Sequence, residues 1–143
     1  MHVRLSSKGV TMAHQTEVSK SLLRRITDDI WTGGRLELID DLVSDTFVDH
    51  VEMPGLESTG GRERYRASVE LVRVAFPDYR EEIIWLVGED DRAVSFVQGS
   101  GTHLGNFQGI EPTGRRALGR RWDAFASSTV RPPSDGASET PSP

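Results

Sequence analysis

The chain has 143 residues, 36% of them hydrophobic, a net charge of −5 and no cysteine. Such a length suits one domain better than two. The acidic balance argues against nucleic acid as a partner, because phosphate neutralisation needs a basic face; the missing cysteine excludes disulfides, thiol nucleophiles and thiolate metal sites. No apolar run approaches the ~18 residues of a membrane span, and residues 1–11 lack the apolar stretch of a secretory signal, so a cytoplasmic protein with no membrane partner is expected.

Residues 1–14 show no hydrophobic periodicity and are read as a disordered N-terminus, with Met12 a candidate start. Thr16 is placed to cap a helix with Glu17 in its first turn. Val18, Leu22, Ile26 and Ile30 then recur every four residues, Leu23 and Trp31 widen the stripe, and Gly33-Gly34 ends the helix. A second helix is expected over Leu36 to Val43 and a short strand over Phe47 to Val51. A third helix covers Arg62 to Phe76, with Tyr65, Val69, Val72 and Phe76 on one face, and Pro77-Asp78 stops it.

The period then changes to two. Tyr79 to Val87 and Arg92 to His103 read as strands joined through Gly88-Glu89-Asp90-Asp91, and Trp122 to Val130 as a further strand. Helices followed by antiparallel strands make an α+β fold. Pro132-Pro133 halts any strand, and residues 131–143, rich in Ser and Pro, are read as a disordered tail. The domain therefore spans residues 15–130.

A glycine-rich stretch stands out: Gly101-Thr102-His103-Leu104-Gly105-Asn106-Phe107-Gln108-Gly109-Ile110-Glu111-Pro112-Thr113-Gly114. Such a segment suits a strand end breaking into a turn. With Ala75-Phe76-Pro77-Asp78 upstream, it resembles the signature of SnoaL-like polyketide cyclases, or ester cyclase-like proteins, of the nuclear transport factor 2-like superfamily. Ile30 to Gly34, Leu38 to Leu42, Val48-Asp49-His50, Asp123 and Phe125 fit in order, so the resemblance runs from about Val18 to Phe125. After Val130 the chain departs from the family pattern, and a final strand is expected to be absent or altered.

The resemblance implies a cone-shaped apolar pocket between helices and a curved sheet. It also implies cofactor-independent acid–base chemistry, an intramolecular aldol-type closure on a small apolar carbonyl substrate, with no metal. Such chemistry needs a desolvated carboxylate to take a carbon-bound proton and a hydrogen-bond donor to hold the resulting enolate. By the resemblance, Asp123 is the catalytic base and His103 its acid or donor partner. The bland alternatives are a surface aspartate paired with Arg120 and Arg121, and a histidine bonded to backbone at a strand end. Regular alternation puts Val97, Gly99, Gly101 and His103 on one face. His50, Tyr65, Trp85, Phe96 and Phe107 are candidates to line the pocket, though aromatic residues at such spacings are more often core. His50 and His103 with a carboxylate are a weaker candidate for a metal site. Arg115-Arg116 and Arg120-Arg121 read as a solvated hairpin end. A homodimer through the open sheet face is expected. Against an enzyme stand two alternatives: a non-catalytic small-molecule binding module, or an inactive relative lacking the last strand.

Overall fold

In the computed structural model the described residues are 2–49, 53, 55–56 and 60–126. Helix α1 spans His2–Arg25 and passes directly into a π-helical turn over Ile26–Thr32. A 3₁₀ turn at Leu36–Leu38 leads into the short α2, Ile39–Leu42, and α3 runs over Arg62–Ala75. Three strands follow, β1 at Arg80–Glu89, β2 at Arg92–Thr102 and β3 at Arg116–Ala126. They form an antiparallel sheet in the order β1-β2-β3, so the expected α+β fold is observed.

The helix begins at His2, not at Thr16. Thr16 does satisfy backbone groups, but from within the helix: its hydroxyl lies 3.0 Å from the Met12 carbonyl and also meets the Asp90 carbonyl. Ser19 Oγ donates to the Asp91 carbonyl at 2.6 Å. Both residues thus bind the tight turn between β1 and β2, where Asp90 adopts a φ of 57°. The polar residues that read as a cap instead fasten α1 to the hairpin.

The apolar stripe behaves as expected, for Leu22, Leu23, Ile26 and Ile30 are fully buried against the sheet. A strict spacing of four drifts round an α-helix of 3.6 residues per turn. The wider i→i+5 turn from Ile26 removes that drift, and Ile30 and Trp31 are both buried side by side. Gly34, at a φ of 70°, then reverses the chain.

The strand expected over Phe47 to Val51 reduces, among the described residues, to one isolated bridge between Asp49 and Gly60. β3 starts at Arg116, not Trp122, because its whole length zips against β2 from Thr102↔Arg116 to Arg92↔Ala126. The Arg-rich first half of β3 shows little apolar alternation, so its sequence concealed a strand that backbone pairing imposes. β2 alternates as expected: Ala93, Ser95, Val97, Gly99 and Gly101 are buried, and His103 continues the series. β1 does not, because a bulge between Ile83 and Trp85 changes its parity. Glu81 points inward and Trp85 outward.

The glycine-rich stretch closes the far end of the sheet. Leu104 N–H and Gly105 N–H both donate to the Ala75 carbonyl, at 2.9 and 3.0 Å, so the loop caps the end of α3. A methyl group at Gly105 would overlap the Val74 carbonyl. Gly105→Ala is therefore expected to cost about 1–3 kcal/mol by overpacking, seen in urea unfolding as a lower midpoint at unchanged slope; an unaltered midpoint would contradict this packing.

Candidate active site

β3 carries Arg121 and Asp123 on the inner face of the sheet, opposite Val97 and Ser95. Arg121 lies among three groups. Its Nη1 bonds Glu81 Oε2, its Nη2 donates to Glu81 Oε1 at 3.2 Å and to Asp123 Oδ2 at 3.0 Å, and its Nε donates to Asp123 Oδ1 at 3.1 Å. The guanidinium also lies over the Trp31 ring, 4.2 Å from its centroid, where the ring's negative face favours a cation. Glu81 has a fully buried side chain, Asp123 is 17% exposed and Arg121 30%. Tyr79 donates its hydroxyl proton to Glu81 at 2.8 Å, and Glu81 N–H donates to Thr32 Oγ1.

The cluster's electrostatics follow from burial. Desolvation pushes the Glu81 carboxyl above the usual carboxylate range, against the opposing pull of Arg121. Burial alone would weaken the Arg121 charge, but Asp123 and Glu81 outweigh it and hold the guanidinium firmly protonated. Burial also raises the Tyr65 hydroxyl far above its ordinary range, with Asp123 adding to the effect, so that phenol stays protonated.

Beside the cluster lies a cavity of about 260 Å³. Trp31, Phe47, Tyr65 and Phe125 supply much of its apolar wall, and Arg121 and Asp123 reach it from β3. On the opposite wall a second ion pair, Arg64 Nη1 to Asp49 Oδ2 at 2.8 Å, is almost completely buried. Tyr65 accepts a hydrogen bond from Trp31 Nε1 at 2.9 Å. That leaves its own O–H as a donor, and no acceptor for it is found among the described residues. A second, more apolar cavity of about 290 Å³ lies further along β3, lined by Phe76, Tyr79, Phe107 and the glycine-rich inner row Gly99, Gly101 and Gly119.

The candidates from the sequence are distributed unevenly. Asp123 and Tyr65 share the first cavity. His103 does not reach it, because Asp123 pairs with Ser95, eight residues along β2, which is roughly 25 Å at strand spacing. His103 sits instead in the loop: its N–H donates to the Arg115 carbonyl, its carbonyl accepts from Gly114, and its ring packs on Phe76 at 5.4 Å. Its Nδ1 lies 3.1 Å from Thr113 Oγ1. Phe107 lines the second cavity. Trp85 and Phe96 stack with Trp122 on the outer face, because the bulge turns Trp85 outward and Phe96 lies one step out of phase with Ser95 and Val97. His50 lies outside the described residues.

Glu81, Arg121, Trp31, Asp49 and Arg64 were not legible as a site. Arg121 read as part of a solvated basic run; alternation in fact sends Arg120 outward to Gln98 and Arg121 inward. The available signal was parity: Arg121 lies two residues before Asp123 and therefore on the same face.

The SnoaL-like polyketide cyclase family matches the chain over residues 21–127, and the protein belongs to that family. No curated protein sequence matches it. Among solved structures it is similar to a protein of Jannaschia sp. CCS1 described as a SnoaL-like polyketide cyclase, at 18% identity and a TM-score of 0.68, covering 80% of this chain and 81% of that one. AclR of Streptomyces galilaeus is 24% identical with a TM-score of 0.66, covering 83% and 71%. TsrD of Streptomyces laurentii is 25% identical with a TM-score of 0.63, covering 74% and 75%. No helix among the described residues is long and apolar enough to cross a membrane.

Removing the arginine leaves two carboxylates facing each other in a partly dry site. Arg121→Met is expected to cost about 2–4 kcal/mol, the buried-pair value reduced for its partial exposure. The sign with pH is fixed by Glu81: burial already raises its carboxyl in the folded state, and without Arg121 the main opposing pull is gone, so the variant should regain stability as pH falls from 8 to 5. Urea unfolding at both pH values reads this, and a deficit that stays constant would contradict the assignment.

Proposed function

We propose that the protein is a cofactor-independent acid–base enzyme of the cyclase, lyase or isomerase type, acting on a small, mainly apolar carbonyl compound in the 260 Å³ cavity. The observation that carries this reading is Asp123, a partly buried carboxylate held by Arg121 at the edge of an aromatic-walled cavity.

Asp123 takes the proton α to the substrate carbonyl. Its orientation is fixed by two bonds from one guanidinium, which reduces the reorganisation needed for proton transfer. As the proton leaves carbon, negative charge moves from the aspartate to the substrate oxygen. Tyr65, protonated and with its O–H uncommitted among the described residues, is the donor for that oxygen, and Arg121 contributes its charge at short range. The aldol closure then forms a carbon–carbon bond between the enolate carbon and a second carbonyl, and the proton held on Asp123 completes the new hydroxyl. His103 belongs to the scaffold in this reading, because one small substrate does not span the sheet.

The test is a screen of aryl ketones and acyl esters for product formation, followed by variants. With a substrate in hand, Asp123→Asn should lower kcat/KM by about 10²–10⁴-fold and Tyr65→Phe by about 10²-fold, while His103→Ala should change it little in protein of unaltered stability. Full turnover in Asp123→Asn would remove the base. Saturable ligand binding with no product from any substrate would favour a binding module instead.

The outer face motivates a quaternary proposal, and a cytoplasmic location belongs to the same proposed reading. Trp85, Trp122, Val87 and Leu118 are each about 58–69% exposed there, an apolar patch of the kind that marks an interface. A homodimer through this face is expected to give twice the chain mass in sedimentation equilibrium and the monomer mass in Trp85→Glu; a monomeric wild type at all concentrations would exclude it.

A further inference from the structure

We propose that the second cavity is a ligand site of its own, which takes an uncharged, two-ring apolar compound. This inference does not depend on the reading of Asp123 as a base.

The cavity, of about 290 Å³, lies over the glycine-rich end of β2 and β3 and shares no lining residue with the first. A hydrogen-bonded series runs from one to the other. Tyr79 lines the second cavity and Arg121 the first, while Glu81 lines neither and bonds both residues. Along the strands, the Gly99↔Gly119 pair stands four residues from Ser95↔Asp123, roughly 13 Å at strand spacing. The two spaces are therefore separate, with a closed ionic cluster between them.

The floor of the cavity is a row of inner-face positions without large side chains: Gly99 pairs with Gly119, and Gly101 with Ala117. Two of the three glycines are explained by packing. A methyl group at Gly99 would overlap the Tyr79 hydroxyl, and one at Gly101 would press on Phe76 Cβ. Gly119 differs. A methyl group there would meet no atom within 4 Å among the described residues, and its φ is not positive. Neither crowding nor backbone conformation requires glycine at this position. A glycine inside a strand weakens it, and such a position marks the close approach of a ligand or of another backbone. The missing side chain at Gly119 keeps the floor open.

The walls define the class of ligand. Val72 and Phe76 come from α3 and its end, and Phe107 from the loop. The two phenyl rings stand 5.4 Å apart at 62°, forming a corner for a flat group. No charged side chain is among the lining residues. The two polar ones already hold bonds: Tyr79 donates to Glu81, and Ser100 Oγ accepts from Arg116. A charged ligand would lose its water here without gaining a counter-charge. An apolar cavity of about 150 Å³ stays dry and admits benzene, so this larger one has room for two fused rings.

The experiment is an NMR titration of the full chain with indole, a neutral two-ring compound. Signals of Val72, Gly99, Ala117 and Gly119 should shift saturably, and nuclear Overhauser contacts should join indole protons to the Val72 methyls. The anion 2-naphthoate, of similar size, should bind there at least about tenfold more weakly. Gly119→Ile fills the floor. It should abolish the indole shifts at Val72 and Ala117, while any response of Ala124 and Phe125 at the first cavity stays as in wild type. An absence of saturable shifts at these residues, equal binding of the anion, or unaltered indole binding in Gly119→Ile would overturn the proposal. Should that variant fail to unfold cooperatively, the wild-type contacts decide: contacts to Val72 and Ala117 sustain the site, and contacts confined to first-cavity residues overturn it. Shifts of the same signals on dilution without indole would assign the cavity to a contact between copies of the chain, and would equally overturn it.

Discussion

One guanidinium organises the candidate site of this molecule. Arg121 is held between Glu81 and Asp123 under the Trp31 ring. A partly buried arginine has five donors to satisfy and cannot shed its charge, so the surrounding elements are constrained to serve it. β1 must present Glu81 inward, which its position before the bulge allows. β2 must be bare at Gly99 so that Tyr79 and Glu81 can lie across it. The π-helical turn after α1 must aim Trp31 at the same point, and Trp31 in turn directs its indole N–H to Tyr65 on α3. Every main element contributes to a cluster about one side chain wide.

That arrangement divides the sheet into two faces and two ends with different tasks. The inner face carries charge and small residues, and the outer face carries the stacked aromatics Trp85, Phe96 and Trp122. At one end lies the cavity with Asp123. At the other, the glycine-rich loop joins β2 to β3 and binds the last turn of α3. The loop's histidine is buried among loop and helix atoms, with its ring on Phe76. The most distinctive stretch of the sequence therefore joins β2 to β3 and fastens both to the end of α3.

Much of the fold was legible because it rests on local signals. α3 was bounded to within one residue by its apolar face and by Pro77. The hairpin was marked by its acidic turn, and the alternation of β2 gave its buried face. What escaped depends on partners distant in sequence. The first half of β3 is a strand because β2 is long enough to pair with it. Trp85 faces outward because of a bulge that no residue type announces. Asp123 could be singled out through kinship, but its arginine looked like a surface charge until parity was assigned from the ladder. Glu81 had no signal at all, since a glutamate near a strand start is ordinarily exposed. His103, singled out as a titratable residue among glycines, lies in the loop against Phe76, away from the cavity that Asp123 lines.

The π-helical turn at Ile26–Thr32 has a consequence for how this site tolerates change in chain length. A turn of that kind holds one more residue than the α-helix it interrupts, and here the surplus puts both Ile30 and Trp31 against the sheet. Deleting a single residue from this turn would let the chain relax into an unbroken α-helix with better local geometry. The same deletion takes out that surplus, so the phase of the chain beyond the turn stays close to what it was. Within the turn the loss is local: Ile30 and Trp31 can no longer both lie against the sheet, and the indole that meets the guanidinium is the contact at stake. A change of one residue here is absorbed where it occurs, and the strands that carry Glu81, Arg121 and Asp123 keep their register.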